Sequence, residues 1–98
     1  MGYTYNKSSK DDNHNEIDQA LRDNGVVTFD VTPVKEFCDI VACYDGVVYL
    51  LEVKDGSKPP SQRRLTPREL KAVKRVNSVG CQIYVVNNVK EAIDLVCG

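Results

Sequence analysis

The sequence predicts one mixed α/β domain whose elements follow the order αβββαβα. Two observations carry this prediction. First, two apolar, β-prone runs are joined by Asp45-Gly46, which is typical of a hairpin with a type I′ turn. Second, the last third of the chain holds two helix-capping signatures with a short apolar run between them, which predicts a helix, a strand and a final helix. The 98 residues suffice for a single modest core.

The composition excludes several classes of protein and of site. The 42% hydrophobic and 28% charged residues are ordinary for a globular protein, and no apolar run approaches the roughly 20 residues of a membrane span. Residues 1–12 are polar and aperiodic, so they predict a flexible tail before a single domain at 13–98. The one histidine, His14, lies beside this polar terminus, which argues against a His-based zinc site. The cysteines lack CxxC spacing and are expected to be reduced, small core residues of a cytosolic protein, at positions 38, 43, 81 and 97.

A first helix is predicted from Asn13 to Gly25. Ile17 and Leu21 recur at helical spacing, and Gly25 is a typical stop. Glu16 follows Asn13 by three residues, which fits an N-terminal capping arrangement. It also fits a carboxylate that reaches a neighbouring cleft as a metal ligand, and the sequence leaves both interpretations open.

Three strands are predicted after this helix. The run 26–31 alternates between apolar and polar residues, which indicates a half-buried strand. The hairpin then pairs 37–44 with 47–54. Its two-residue loop fixes the register, so that Tyr44 faces Val47.

The hairpin register brings charged side chains together. Counting back from the turn places Asp39 opposite Glu52, and Lys54 points to the same face two residues farther along. Both faces of the hairpin are otherwise apolar, which predicts a central hairpin covered on both sides. Two facing carboxylates there repel each other and lose hydration unless a cation compensates. An ion-pair cluster with Lys54 and a bound divalent metal both supply positive charge, and the metal is the favoured interpretation. A β-bulge between Asp39 and Glu52 would spoil this register.

The C-terminal part is predicted to hold a helix, a strand and a helix. Thr66 caps the first helix, Pro67 occupies its first turn and Glu69 closes a capping box, so Glu69 is given a structural role. The residues expected to be buried by this helix are Leu70, Val73 and Val76. A short buried strand follows at 82–86, and the last helix starts at Asn88.

Basic residues are concentrated in one segment. From Lys54 to Arg75 there are eight basic and two acidic residues, although the whole chain has a net charge of −1. This asymmetry suggests a polyanionic partner. A basic helix face is often only solvated, but beside a carboxylate cluster contact with phosphate is the favoured interpretation. The candidate nucleic-acid-binding residues are Lys58, Arg63, Arg64, Arg68 and Lys71. Gln62 is assigned to the preceding loop rather than to the site.

The charged cluster suits metal-assisted hydrolysis of a phosphodiester. Carboxylate oxygens bind Mg²⁺ or Mn²⁺, and such a metal polarises the phosphoryl oxygen and lowers the pKa of a bound water. Lys54 can orient that water or stabilise the developing negative charge. The sequence lacks both GxGxxG and GxxxxGK[ST], so a nucleotide cofactor is not expected.

These residues resemble a known superfamily. Asp39 and the run Glu52-Val53-Lys54, after an early helical Glu16, resemble the PD-(D/E)XK nucleases. The run from position 50 to position 70, LLEVKDGSKPPSQRRLTPREL, is similar to the stand-alone VRR-NUC (virus-type replication-repair nuclease) domains of phages and bacteria. The resemblance covers the chain from about residue 13 to its C-terminus. It departs from the family at Cys38, where the family often has Pro.

The resemblance implies a fold and a set of site residues. The fold would be a restriction-endonuclease-like core, with a mixed sheet of about four strands flanked by helices. Asp39, Glu52 and the Val53 carbonyl would bind the metal, with help from Glu16, and Lys54 would act on the attacking water.

The resemblance also implies a function. Stand-alone members are similar to homodimeric, structure-selective DNA endonucleases, including enzymes that resolve Holliday junctions. Cutting two strands needs two sites, which independently favours a homodimer. The implied setting is replication, repair or phage recombination in the cytoplasm of a bacterial or phage-infected cell, with no membrane partner. A catalytically silent nuclease-fold DNA-binding module is the main alternative, and a protein-interaction domain is a weaker one. DNA versus RNA, substrate shape and cleavage polarity stay open.

Overall fold

A computed structural model of the chain describes residues 11–98, so the tail predicted at 1–12 lies outside the described residues except for its last two positions. The elements follow the predicted order αβββαβα, with one 3₁₀ turn before the second helix. Their bounds are α1 His14–Asp23, β1 Val27–Asp30, β2 Ile40–Tyr44, β3 Val47–Val53, the 3₁₀ turn Pro60–Gln62, α2 Pro67–Asn77, β4 Ile83–Val86 and α3 Val89–Val96. In the described part, no helix has the length and apolar character needed to cross a membrane.

The four strands form one mixed sheet in the order β1-β2-β3-β4. β1, β2 and β3 are antiparallel neighbours, and β4 is parallel to β3 because α2 carries the chain back across the sheet. The hairpin β2–β3 therefore occupies the centre, as predicted. The predicted fold class, a four-stranded mixed sheet flanked by helices, is confirmed.

The hairpin turn fixes the register of the two central strands. Asp45 and Gly46 have φ angles of 49° and 79°, and a type I′ turn requires positive φ at both of its central residues. Pairing runs from Tyr44 opposite Val47 to Ile40 opposite Leu51, which matches the register counted from the sequence.

The two faces of the sheet are covered to different extents. α1 and α3 pack on one face around a core that includes Ile17, Leu21, Ile40, Leu51 and Val53. On the other face, α2 covers a smaller cluster of Cys38, Ala72 and Ile83, with Val41 and Leu50 packed against it. Near the hairpin turn this second face is open, and Phe29 and Val48 are 56% and 61% exposed. The expected double coverage thus holds only for the half of the hairpin that carries Asp39.

The α2 helix packs on the sheet as expected except at Leu70. Val73 and Val76 pack against the second cluster as expected, but Leu70 is 45% exposed, and Ala72 is the fully buried residue of the helix. The face toward the sheet includes Ala72, Val73 and Val76, and Glu69, three residues before Ala72, reaches Lys54 from the same side. The carboxylate of Glu69 thus meets the Lys54 side chain at the end of β3.

The four cysteines are all free, but they are not all core residues. Cys38 is buried, and burial together with the Asp39 and Glu52 carboxylates raises the pKa of its thiol to about 12. Cys43 and Cys97 are half-buried. Cys81 is exposed, contrary to the prediction, because it lies in the turn between α2 and β4, directly after Gly80 with its positive φ.

Candidate active site

Asp39 enters the site through a β-bulge. Its backbone N–H donates to the Leu51 carbonyl at 2.9 Å, although Leu51 already pairs with Ile40. Two successive residues of one strand therefore face a single residue of the other. The prediction that the Asp39 backbone lies opposite Glu52 is wrong by one residue. The Asp39 side chain compensates, because its Oδ2 accepts the Val53 N–H at 2.8 Å and so reaches across to β3.

Asp39 and Glu52 form an acid pair in which Glu52 is buried and Asp39 is half-buried. Their carboxyl groups share a hydrogen bond, so the side chains meet despite the bulge. Glu52 is 3% exposed, and burial, the Asp39 charge and Glu69 raise its pKa to about 10. Burial also raises the pKa of Asp39, although the hydrogen bonds from Val53 and Glu52 oppose this shift. Two carboxyls in such contact hold one proton between them when no cation is near.

Lys54 lies beside the pair and is held by a residue of α2. Its Nζ donates to Glu69 Oε1 at 2.7 Å, and its side chain is only 9% exposed. Burial by itself lowers the pKa of Lys54, but the hydrogen bond and charge of Glu69, with the charge of Glu52, raise it above its usual value. Burial raises the pKa of Glu69, while the Lys54 bond and the Thr66 N–H outweigh it and lower that pKa.

Glu69 has the structural role predicted for it and a contact that was not predicted. The capping box is complete: Thr66 Oγ1 accepts the Glu69 N–H at 3.2 Å, and Glu69 Oε1 accepts the Thr66 N–H at 2.8 Å. The same Oε1 also accepts the Lys54 ammonium. The available signal was the position of Glu69 three residues before Ala72, on the same side of the helix.

Asp11 also belongs to this neighbourhood, although the sequence assigned it to a tail. Burial raises the pKa of Asp11, while the charges of Lys54 and Lys58 act to lower it and Glu69 acts to raise it. The N-terminal end of the described chain therefore lies close to the site.

The first helix presents different residues from those expected. Asn13 makes no side-chain cap; its Nδ2 donates instead to the carbonyls of Lys54 and Asn87, each at 3.0 Å. The predicted capping arrangement with Glu16 is therefore wrong. Glu16 is exposed, and within residues 11–98 its side chain makes no hydrogen bond or ion pair with Asp39 or Glu52. Glu16 lies in the first turn of α1, and its place as a further metal ligand stays a prediction.

His14 is the α1 side chain that lies near the pair. It is 2% exposed, and its Nε2 is 3.5 Å from Asp30 Oδ2. A positive charge on His14 would favour the ionised form of Asp39, since it acts to lower the Asp39 pKa. The sequence pattern missed His14 because a lone histidine beside a polar segment carries no spacing signal.

The donor atoms fit a hard divalent cation. The raised pKa of Glu52 shows that nearby positive charge does not compensate the two carboxyl groups. Such carboxylates are suited to bind Mg²⁺ or Mn²⁺. The Val53 carbonyl is directed to the Asp39 side, because the N–H and C=O of one strand residue face the same neighbour. Among residues 11–98, no three His, Cys, Asp or Glu side chains are grouped to hold a metal by themselves. A cation here would therefore need backbone and water oxygens as further ligands.

The predicted nucleic-acid-binding residues lie on and before α2. Arg64 and Arg68 are exposed, and within the described residues neither makes a side-chain hydrogen bond or ion pair. Lys71 is 3.9 Å from the carboxylate of Glu36. The Arg63 Nε donates to the Lys58 carbonyl at 2.8 Å, and Lys58 Nζ lies 4.0 Å from Asp12 Oδ2. Gln62 is exposed in the 3₁₀ turn.

Comparison with known proteins supports the fold. No family model and no curated protein matches the sequence. The structure matches a solved structure described as a VRR_NUC domain, with a TM-score of 0.61 and 19% sequence identity, over 84% of this chain and 91% of that chain. At this identity the likeness concerns the fold, and there it confirms the resemblance found in the sequence. The chain has the fold of a VRR_NUC domain.

Proposed function

We propose that this protein is a divalent-metal-dependent nuclease that hydrolyses phosphodiester bonds in branched or otherwise structured DNA. The observation that carries the proposal is the acid pair of Asp39 and Glu52 beside Lys54, in a domain with the VRR_NUC fold. A buried acid with a raised pKa is costly to the folded protein, and such groups are typical of functional sites.

Asp39, Glu52 and the Val53 carbonyl would hold Mg²⁺ or Mn²⁺. When bound, the cation supplies a polarised phosphoryl oxygen and a bound water of lowered pKa. Glu16 is left out of this set because its side chain is exposed on α1 and, within residues 11–98, makes no direct hydrogen bond or ion pair with either carboxyl group.

Lys54 is the protein side chain that would contact the attacking water and the phosphate. Its ammonium has three N–H donors, and one of them is engaged by Glu69. The other two can orient the attacking water and stabilise the negative charge that develops on the phosphate. Its raised pKa keeps it charged at neutral pH.

The basic residues of the segment around α2 would bind the phosphate backbone. Arg64 and Arg68 are exposed and make no ion pair within the described residues, so they contact a phosphate without breaking an existing bond. Two-strand cleavage would require two sites, and we propose a homodimer for this reason. The proposed setting is DNA repair or recombination in the cytoplasm of a bacterial or phage-infected cell.

Cleavage of labelled junction, flap and duplex DNA tests the proposal. We expect products with Mg²⁺ or Mn²⁺, none with EDTA, none from Glu52→Gln, and strongly reduced but measurable cleavage from Lys54→Ala. Lys90→Ala and Asp94→Asn are matched controls, because this pair lies exposed on α3. Cleavage that survives EDTA, or that persists undiminished in Glu52→Gln, contradicts the proposal.

A catalytically silent DNA-binding module is the second candidate function. Two observations favour it: the Lys54 amine is bound to Glu69, and no group of three metal-binding side chains is formed within residues 11–98. This alternative predicts tight, salt-sensitive binding of DNA. It also predicts that no metal yields products from any of the three substrates.

A further inference from the structure

One oxygen atom joins the start of α2 to the amine of Lys54. Glu69 Oε1 accepts the Thr66 N–H at 2.8 Å and the Lys54 Nζ at 2.7 Å. The Lys54 side chain is 9% exposed and that of Glu69 is 24% exposed. The contact therefore lies largely out of water, where a charged hydrogen bond is stronger than at a protein surface.

We propose that Glu69 is a positioning residue, which sets the amine of Lys54 for its work on the reacting phosphate. This inference rests on the proposed nuclease function. It assigns to the capping glutamate of α2 a second role, distinct from the stabilisation of the helix.

The geometry explains why the amine needs a fixed partner. Lysine carries its charge on a flexible four-carbon stem, so a buried backbone alone does not define the amine position. The Lys54 backbone is already anchored: its N–H donates to the Val86 carbonyl at 2.9 Å, and its carbonyl accepts from Asn13 Nδ2 at 3.0 Å. Glu69 supplies the anchor at the other end of the side chain.

Glu69 is itself held rigidly. Its backbone N–H donates to Thr66 Oγ1 at 3.2 Å, and its carboxylate lies in the first turn of α2, where the helix N-terminus favours negative charge. A rotamer change at Glu69 would therefore cost both a cap and an ion pair. A site built on rigid elements holds its reactive groups more precisely than one built on loops.

A purely structural ion pair is the competing explanation, and variants separate the two. Glu69→Ala removes the contacts with Lys54 and Glu52 together with the cap. Thr66→Ala removes the hydroxyl cap but leaves the Lys54 contact, so it is the matched control for lost helix stability. We expect Glu69→Ala to lower kcat about 100-fold, as for a misplaced reacting group, with KM nearly unchanged. Thr66→Ala should retain the wild-type kcat while lowering the melting temperature.

Two further measurements make the test specific. In a Lys54→Ala background, adding Glu69→Ala should not lower kcat again, because both substitutions remove the same Lys54–Glu69 contact. Glu69→Gln keeps an oxygen acceptor for the Thr66 N–H but loses the charge, and we expect an intermediate kcat. The ammonium signal of Lys54 in ¹⁵N NMR should be protected from exchange in the wild type and lost in Glu69→Ala.

The outcomes distinguish this inference from the function on which it rests. A wild-type protein that cleaves no substrate with any metal overturns the proposed function and this inference with it. An active wild type whose Glu69→Ala variant keeps kcat, or loses it equally in the Lys54→Ala background, overturns this inference alone.

Discussion

Replacing Glu52 with Gln should stabilise the metal-free protein at neutral and alkaline pH. Glu52 is 3% exposed, and its pKa is raised to about 10 by burial and by the neighbouring carboxyls of Asp39 and Glu69. In the unfolded chain a glutamate titrates near its ordinary value of roughly 4.3. Between these two values the folded protein holds a proton that the unfolded chain has lost.

The sign of the pH dependence follows from this difference. The contribution of protonated Glu52 to stability is fully present below its unfolded pKa and is lost as the pH rises towards about 10. One proton corresponds to a slope of about 1.4 kcal/mol per pH unit, so the full effect between pH 6 and pH 8 is roughly 3 kcal/mol. Glutamine mimics the protonated acid and removes this loss.

Urea denaturation in EDTA at pH 6 and pH 8 measures the effect. We expect the wild type to lose more free energy of unfolding than Glu52→Gln over this interval. Glu16→Gln, on the exposed side of α1, is the control and should follow the wild type. Added Mg²⁺ should flatten the wild-type slope, because a bound cation replaces the proton. If the free energy of unfolding falls equally with pH in the wild type and in Glu52→Gln, the argument that the surroundings destabilise ionised Glu52 is refuted.

Three further predictions follow from exposure and contacts. Arg64→Ala should weaken DNA binding and reduce the magnitude of the slope of log K against log salt by about 0.9, the value for one phosphate contact, whereas Lys90→Ala should change neither quantity in a filter-binding titration. Leu51 is fully buried, so Leu51→Ala should lower the free energy of unfolding, measured by urea denaturation, by about 2–5 kcal/mol. Val48 is 61% exposed, so Val48→Ala should lower it by about 1 kcal/mol or less. Equal losses in the two variants would contradict the assigned core. Glu16→Ala should leave the cleavage rate unchanged. A loss of cleavage rate as large as that of Glu52→Gln would indicate that Glu16 is a metal ligand.

The hairpin was predictable because its signals are local. Asp45-Gly46 specifies the turn, the turn specifies the register, and the paired residues follow by counting. The bulge at Asp39 was not predictable in this way. At the bulge the Asp39 carboxylate accepts the Val53 N–H, which a backbone carbonyl would accept in a regular antiparallel pair. The alternation of apolar and polar residues along a strand does not indicate such a bond.

The faces of α1 and α2 were predicted less well, since distant contacts set them. In α2 the apolar spacing placed Leu70 inside, but the buried Lys54 draws Glu69 to that side. In α1 the Asn13 side chain binds carbonyls that lie 41 and 74 residues away in the sequence. These bonds tie the start of α1 to the ends of β3 and β4, next to His14, whose charge acts on Asp39.

Binding of Mn²⁺ to the wild-type protein, followed by isothermal titration calorimetry, is the most direct test of the acid pair as a metal centre. We predict saturable binding that is lost in both Asp39→Asn and Glu52→Gln and retained in Glu16→Gln. Binding that is unchanged in the Asp39 and Glu52 variants, or no binding by the wild type, would contradict the assignment of these two carboxylates to a cation.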